Sequence, residues 1–172
     1  MFSIIKATEK DYRTIVNLGN VSVEEAHRDS CSAEDLKEYL SANYNDEAIK
    51  AELRNADNIY HIIYYNQKPA GFSKIIYNAE HDNIAEKHVT MLDRIYLLSE
   101  FFNLKLGAEL LKFNIELARE HAQSAMWLFT WIGNERAVKF YKKAGFKIIG
   151  SHHFKVSASH SNLNHHMFLK LN

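Results

Sequence analysis

The stretch that decides the fold is residues 92–111, which read LDRIYLLSEFFNLKLGAELL. Up to Leu98 it completes a run from Lys87 that alternates partly and contains Met91, Leu92, Ile95, Tyr96, Leu97 and Leu98, which is typical of a central strand buried on both faces near its end. From Leu104 the apolar residues recur at spacings of three and four, which predicts an amphipathic helix. A central strand is therefore expected to lead through a short turn into a long helix.

Shorter patterns on either side complete an α/β order of elements. Thr8 can cap a helix, and the region to about Arg54 is predicted to hold two or three short helices. Asn134 and Gly145 mark the start and end of another short helix, with the glycine in the left-handed conformation. The predicted strands are residues 2–7, 59–65, 70–77, 87–98, 124–131, 147–156 and 163–171. No linker divides the order, so residues 1–172 are expected to form a single domain.

The composition narrows the classes of partner. The 172 residues contain 21 Lys and Arg and 21 Asp and Glu, so no net positive field exists to hold a nucleic acid, and a small-molecule partner is favoured. Cys31 is the only cysteine, which excludes an intrachain disulfide and a multi-cysteine zinc site. No apolar run approaches the ~20 residues that cross a bilayer. We therefore expect no membrane partner and a cytoplasmic location.

The turn after Leu98 is a candidate anion site. Free backbone N–H groups gather where a strand enters a helix, and the positive end of the helix dipole adds to them. A pyrophosphate is a natural ligand for such a turn. Turns of this kind are also common as plain connections in α/β domains, so both interpretations stay open on physical grounds.

A family resemblance rests on residues 92–98, 104–111 and 134–146. The last segment, NERAVKFYKKAGF, has an Asn, a run through Ala, Phe-Tyr, two lysines and Gly-Phe. Together the segments resemble the GCN5-related N-acetyltransferase (GNAT) family. The resemblance implies a mixed sheet of six to seven strands, flanked by helices and splayed open between its fourth and fifth strands. It also implies transfer of the acetyl group of acetyl-CoA to a primary amine of a small molecule, without a metal.

The same resemblance assigns the cofactor contacts. Backbone groups of Ile95, Tyr96 and Leu97 would bond the pantetheine amides and the thioester oxygen. The turn from Phe102 to Ala108 would cradle the pyrophosphate, Asn134 would touch the pantetheine, and Tyr141 would reach the sulfur. The implied cofactor-binding residues are Ile95, Tyr96, Leu97, Phe102, Asn103, Leu104, Lys105, Leu106, Gly107, Ala108, Asn134 and Tyr141.

The pyrophosphate turn departs from the family pattern. That pattern is Gln or Arg, two residues, Gly, one residue, then Gly or Ala, whereas this chain has Phe102 first and Lys105 in place of the first glycine. Lys105 could narrow the cradle, or its ammonium could bind the phosphates directly. An acyl-CoA-binding or interaction module with weak or lost catalysis is therefore an alternative function.

Catalysis requires a neutral amine and a proton for the leaving thiolate. A phenol of pKa near 10 can protonate the thiolate, and the resemblance assigns this general acid to Tyr141, the alternative being a Tyr that only packs in the core. Carboxylates in the helical region before Arg54, or near the end of the central strand, can accept the amine proton. The candidates are Glu24, Glu25, Asp93 and Glu100, and no motif distinguishes them.

The C-terminal region concerns the acceptor. Residues 145–154 resemble those of bacterial polyamine-acetyltransferase-like members, although residues 155–162 lack the carboxylates usual there. An alternative acceptor is the N-terminus or a lysine of a protein.

An exposed final strand is expected to pair two copies into a homodimer. The clustered histidines are interpreted as surface or acceptor-pocket groups rather than zinc ligands, with His165 and His166 on opposite strand faces. The cluster is His152, His153, His160, His165 and His166.

Overall fold

The structure is a computed structural model that describes residues 1–171. It contains seven strands and five α-helices in this described part of the chain. The strands are β1 (Phe2–Lys6), β2 (Ile59–Tyr65), β3 (Lys68–Ile76), β4 (Val89–Leu97), β5 (Ala125–Trp131), β6 (Lys147–Lys155) and β7 (Ser161–Lys170). The helices are α1 (Tyr12–His27), α2 (Ala33–Asn43), α3 (Asp46–Arg54), α4 (Leu106–Glu120) and α5 (Glu135–Lys143).

All seven strands form one mixed sheet in the order β1-β2-β3-β4-β5-β7-β6. Neighbouring strands run antiparallel except β4 and β5, which run parallel. The predicted mixed α/β sheet flanked by helices is confirmed. The final strand β7 lies inside the sheet and β6 forms the edge, so the expectation of an exposed final strand is wrong.

The sheet opens between its fourth and fifth strands. Parallel pairing ends with Met91 opposite Trp127, while β4 continues to Leu97 and β5 to Trp131. The ends of the two strands therefore leave backbone groups facing a gap. This is the splay that the sequence resemblance implies.

Helices cover both faces of the sheet because side chains alternate along each strand. On one face, α1 and α3 pack Ile15 and Ile49 against Tyr60 and Phe72. On the other face, α4 and α5 pack against β4, β5 and β7 in a second cluster. That cluster includes Leu92, Leu111, Ala118, Met126, Leu128, Tyr141 and Met167.

Two helices differ from the sequence prediction at their starts. Helix α1 has 16 residues and is not short. It follows a 3-10 turn in which the Thr8 amide and hydroxyl donate to the Asp11 carboxylate at 2.7 and 3.0 Å. Helix α4 begins at Leu106 rather than Leu104, because Lys105 precedes it in the left-handed conformation, with φ of 61°. The 3-10 turn before α1 and the left-handed Lys105 before α4 therefore shift the helix starts from the positions that the sequence predicts.

Candidate active site

A cavity of about 1010 Å³ lies at the splay. Its walls come from α1, α2, β4, the turn before α4, β5, α5 and the β6–β7 hairpin. It brings together all the implied cofactor residues except Leu104, whose side chain is exposed outside it. The lining members of that set are Ile95, Tyr96, Leu97, Phe102, Asn103, Lys105, Leu106, Gly107, Ala108, Asn134 and Tyr141.

The β4 backbone offers donors to this cavity. The Leu98 N–H donates to the Ala70 carbonyl at 2.9 Å, so alternate residues back along the strand also face β3. The N–H groups of Ile95 and Leu97 therefore face the splay, whereas the backbone of Tyr96 faces β3. Backbone contact with a ligand is thus geometrically open to Ile95 and Leu97, and Tyr96 contributes its side chain.

The turn before α4 has the left-handed backbone conformation that glycine favours, although residues other than glycine occupy it. Asn103 and Lys105 have φ of 69° and 61°, a region that costs an L-residue roughly 1–2 kcal/mol. A Cβ at position 107 would lie 3.1 Å from Leu97 Cδ1, so a larger residue there would require Leu97 to shift by a few tenths of an ångström. The left-handed Lys105 thus reproduces the backbone that glycine supplies elsewhere, while adding an ammonium to the cavity wall.

Helix α5 begins and ends as the sequence predicts. The Asn134 Oδ1 accepts a hydrogen bond from the Ala137 N–H at 3.1 Å, and Gly145 follows the helix with φ of 100°. The Asn134 side chain is therefore held at the cavity wall by its capping bond. This local geometry follows from residues close in sequence.

Tyr141 belongs to both the core and the cavity. It is 8% exposed, packs edge to face against Phe140 and Phe146, and lines the cavity. Burial raises the pKa of its phenol, so the hydroxyl stays protonated at neutral pH. The two sequence interpretations, core packing and general acid, are compatible at this position.

Asp93 is committed to a network of four charges. It is the extra residue of a bulge in β4, and its carboxylate lies 3.0 Å from Lys74 and 3.4 Å from Arg94. Glu52 completes the network at 2.7 Å from Lys74 and 3.3 Å from Arg94. Burial opposes ionisation of Glu52, but Arg94 and Lys74 outweigh it and lower its pKa. We call these residues (Glu52, Lys74, Asp93, Arg94) the charge network.

The other carboxylate candidates differ in access to the cavity. Glu24 pairs with Arg28 at 2.8 Å on the surface, and neither Glu24 nor Glu100 lines the cavity. Glu25 does line it, and its two oxygens accept from the Ser99 N–H at 2.9 Å and the Ser99 hydroxyl at 2.6 Å. Glu25 and Asp93 are thus the two candidates brought to the cavity.

A histidine that the sequence interpretation missed lies in the same cavity. His27 Nε2 and the Tyr96 hydroxyl are 3.2 Å apart, and the His27 ring is 6.2 Å from the Trp131 ring between centroids. Burial lowers the pKa of His27 to about 4 and raises that of Tyr96. No motif marks His27, and its only sequence signal is its position at the end of α1.

The end of the cavity away from the turn before α4, called the far end, is closed by contacts between the α1–α2 region and the β6–β7 hairpin. His160 Nε2 lies 3.0 Å from the Ser30 carbonyl oxygen and 2.8 Å from Asn162 Oδ1. The Tyr39 and Phe154 rings meet edge to face at 6.0 Å. Helices α1 and α2 and the β6–β7 hairpin therefore enclose one space, whose walls combine aromatic and amide side chains with Glu38 and Lys155.

His165 and His166 lie on opposite faces of β7, as strand alternation predicts, but the buried His166 is neither a surface group nor part of the cavity, so the surface or acceptor-pocket interpretation is wrong for it. His166 is 1% exposed and packs among Trp127, Phe129 and His81, whereas His165 lies partly exposed on the opposite face. Within residues 1–171, no cluster of three or more His, Cys, Asp or Glu side chains could hold a metal ion. None of the helices described has the length and apolar character needed to span a membrane.

Comparison with known proteins identifies the family. The profile of the acetyltransferase (GNAT) family matches residues 20–146, well over half of the chain. An uncharacterised N-acetyltransferase encoded in the pepI 3′ region of Lactobacillus delbrueckii subsp. lactis is 24% identical over 151 residues, which are 88% of this chain and 87% of that protein.

Two solved structures share the fold at low identity. The PaiA N-acetyltransferase of Thermoplasma acidophilum, solved in complex with coenzyme A, superposes with a TM-score of 0.76 at 19% identity over 99% of both chains. The ribosomal-protein-S18-alanine N-acetyltransferase of Escherichia coli gives 0.73 at 13% identity over 99% of this chain and 94% of that one. With the splayed sheet and the family match, the chain belongs to the GNAT family: it is an acyltransferase that uses acetyl-CoA as its acetyl donor.

Proposed function

We propose that residues 1–172 act as a single N-acetyltransferase domain that acetylates a primary amine of a small molecule. The observation that carries the proposal is the splay, where the free N–H groups of Ile95 and Leu97 share one cavity with Tyr141. N–H donors held at this place stabilise a developing oxyanion on the thioester carbonyl. The left-handed turn at Lys105, which lines the cavity beside Gly107, fits a pyrophosphate.

The chemical step joins the amine nitrogen to the thioester carbonyl carbon. The amine attacks and loses one proton to the acceptor, the carbon–sulfur bond breaks, and the thiolate takes one proton from the Tyr141 hydroxyl. Solvent then removes the proton from the acceptor and returns one to Tyr141, so the site is restored. The products are an N-substituted acetamide and free CoA thiol. Burial raises the pKa of Tyr141 and weakens it as an acid in water, but the same desolvation makes a neighbouring thiolate a stronger base.

The proton acceptor proposed for the amine is the pair formed by Tyr96 and His27. Burial lowers the pKa of His27, which keeps it neutral but weakens it as a base. In the tautomer with its proton on Nδ1, Nε2 can accept the Tyr96 proton while the Tyr96 oxygen takes one from the amine. Asp93 is a weaker candidate because two cations hold its carboxylate. Glu25 is the alternative, since it lines the cavity and has no cation partner among residues 1–171.

The variants His27→Gln and Glu25→Gln show which of the two residues accepts the amine proton. If His27 is the acceptor, His27→Gln lowers kcat/KM by about 100-fold and Glu25→Gln leaves it within a few fold. Steady-state release of CoA thiol measures both. The reverse pattern assigns the base to Glu25.

The acceptor class is supported by the enclosed far end of the cavity. Aromatic and amide side chains line it beside the carboxylates of Glu25 and Glu38, which have no cation partner among residues 1–171, so the cavity suits a small amine that combines an apolar body with positive charge. The alternative acceptors, a polyamine and a protein N-terminus or lysine, stay predictions.

A homodimer is proposed through β6, which is the sheet edge and is exposed on both faces, and light scattering tests it. Cytoplasmic location also stays a prediction.

The test is thiol release from acetyl-CoA with a panel of acceptors, paired with calorimetric titration of CoA. The panel contains aryl-alkyl monoamines, spermidine and a short peptide with a free N-terminus. Turnover with a monoamine supports the proposal, and turnover with the peptide alone moves the acceptor to protein. CoA binding without turnover on any acceptor, or no heat at millimolar CoA, favours the binding-module alternative.

A further inference from the structure

Arg136 stacks on the ring that replaces the family's polar residue in the pyrophosphate turn. The Arg136 Cζ lies 3.3 Å from the centroid of the Phe102 ring. Phe102 belongs to the turn before α4, whereas Arg136 is the second residue of α5. Both side chains line the cavity. The stack therefore brings a guanidinium from a different helix to the place where the turn has lost its own polar side chain.

The charge on Arg136 is not neutralised by a carboxylate. Within residues 1–171, four of the other five arginines form ion pairs with Asp or Glu, and Arg136 forms none. Its neighbour Glu135 pairs instead with Lys139 at 3.5 Å. Burial lowers the pKa of Arg136, which is the direction expected when a guanidinium loses water without gaining an anion. Arg136 therefore has the free charge that a phosphate needs.

Stacking leaves the hydrogen-bonding groups of Arg136 available. A guanidinium is planar and its five N–H donors lie in that plane. Contact with Phe102 uses the face of the plane, so the donors at its edge stay free for a bidentate phosphate contact. The ring also restricts the long side chain, which reduces the entropy lost on binding. Phe102 thus acts as a platform and not as a ligand.

We infer that Arg136, positioned by Phe102, binds a phosphate group of CoA in place of the missing Gln or Arg of the turn. The ammonium of Lys105, which lines the same cavity, supplies a second positive charge. This inference rests on the proposed function, because it concerns the same cofactor. The pyrophosphate and the 3′-phosphate present the same chemistry, and the ligands used in the test distinguish them.

Calorimetric titration of wild type and Arg136→Ala with CoA, dephospho-CoA and pantetheine tests the inference. For Arg136→Ala, we expect the Kd of CoA to rise by about 10- to 100-fold, as for loss of charge-assisted hydrogen bonds. The Kd of pantetheine, which has no phosphate, should stay within about twofold. An equal loss with dephospho-CoA assigns the contact to the pyrophosphate. A loss confined to CoA assigns it to the 3′-phosphate.

Further variants separate a phosphate contact from a structural role. Phe102→Arg in the Arg136→Ala background returns a guanidinium to the turn and should recover most of the CoA affinity. Arg119→Ala, which breaks the exposed pair with Glu116 on α4, is the matched control and should leave all three Kd values unchanged. Pantetheine binding that weakens along with CoA binding would show a structural defect and overturn the inference.

Two failures are distinguishable. Wild-type protein that binds none of the three ligands overturns the proposed function and this inference together. Wild-type protein that binds CoA with an Arg136→Ala variant that binds it equally well overturns this inference alone.

Discussion

The charge network and the proposed phosphate end of the cavity, which is the part that Lys105 and Arg136 line, hold their charges in opposite ways. In the network, Lys74 is buried, Arg94 has a side chain 12% exposed, and each contacts two carboxylates. At the phosphate end, Lys105 and Arg136 line the same cavity without a carboxylate partner among residues 1–171. If a ligand took one charge out of such a pair, the other charge would stay in the protein interior without a partner, which is costly. The network therefore stabilises the fold and does not bind a ligand. The unpaired charges are the ones available to an anionic cofactor.

Removing one network cation should give the largest effect. Arg94→Met leaves Glu52 and Asp93 with Lys74 alone and takes a donor from the Tyr60 hydroxyl, 2.8 Å away. We expect the free energy of unfolding to fall by about 3–5 kcal/mol. Urea denaturation measures it.

The control for that prediction is the exposed pair of Lys139 and Glu135 on α5. Lys139→Met should change the unfolding free energy by no more than about 0.5 kcal/mol. If Arg94→Met were equally mild, the network would not be a structural unit, and the contrast with the phosphate end would fail.

Tyr141→Phe should act on chemistry and leave cofactor binding intact. Loss of a general acid lowers kcat by about 100- to 1000-fold. The Kd of CoA should stay within about twofold, because the ring still fills its place in the core. Single-turnover kinetics and calorimetry measure the two quantities. Unchanged turnover with a good acceptor would leave Tyr141 as a core residue only, and Phe140→Leu is a packing control.

His166 differs from both the charge network and the unpaired cations, because it is a buried neutral ring without a hydrogen-bond partner. Within residues 1–171 neither ring nitrogen has a hydrogen-bond partner, and burial lowers the pKa of His166 from 6.5 to about 4. The unfolded chain binds the proton more readily, so stability present above pH 6.5 is lost as pH falls toward 4. Between pH 7.5 and 5.0 we expect a loss of about 2 kcal/mol from this residue.

Denaturation of His166→Gln at the same two pH values checks this loss. The variant should show a smaller fall in the free energy of unfolding than wild type, by about 2 kcal/mol. His165→Gln, on the opposite face, should keep the wild-type pH dependence. Equal slopes for wild type and His166→Gln would contradict the depressed pKa of His166.

Lys105→Gly should give the smallest effect and separate backbone from charge at the phosphate end. Glycine relieves the left-handed strain but adds freedom to the unfolded chain, so we expect a gain of no more than about 1 kcal/mol. CoA affinity should fall by a few fold because the ammonium is lost. The control Lys112→Gly, exposed inside α4, should instead destabilise by about 1 kcal/mol. Thermal unfolding and calorimetry compare them.

Much of the fold was predictable because its signals are local. The capping Asn134, the left-handed Gly145 and the change of period before α4 each depend on residues within a few positions. The boundaries of α1 and α4 were less predictable, because a 3-10 turn and a left-handed Lys105 precede them. The place of β6 at the sheet edge depends on long-range pairing, which no local pattern encodes.

The candidate site was predictable where a motif spans it and not elsewhere. Residues 134–146 identified Asn134 and Tyr141 as cavity residues. His27 and Arg136 gain their roles from Tyr96 and Phe102, which other elements bring to them. Neither residue type nor spacing marks such pairs, since their members are far apart in the chain.

The sequence by itself determined the order of elements, the family and the strand-to-helix turn between β4 and α4. These follow from periodicity, capping and backbone preference, which act between neighbours in the chain. Only the tertiary structure decided which charges are paired and which are free, and which histidine shares the cavity with Tyr96. Pairing and desolvation depend on groups that meet only after folding, and they set the pKa and the availability of each side chain.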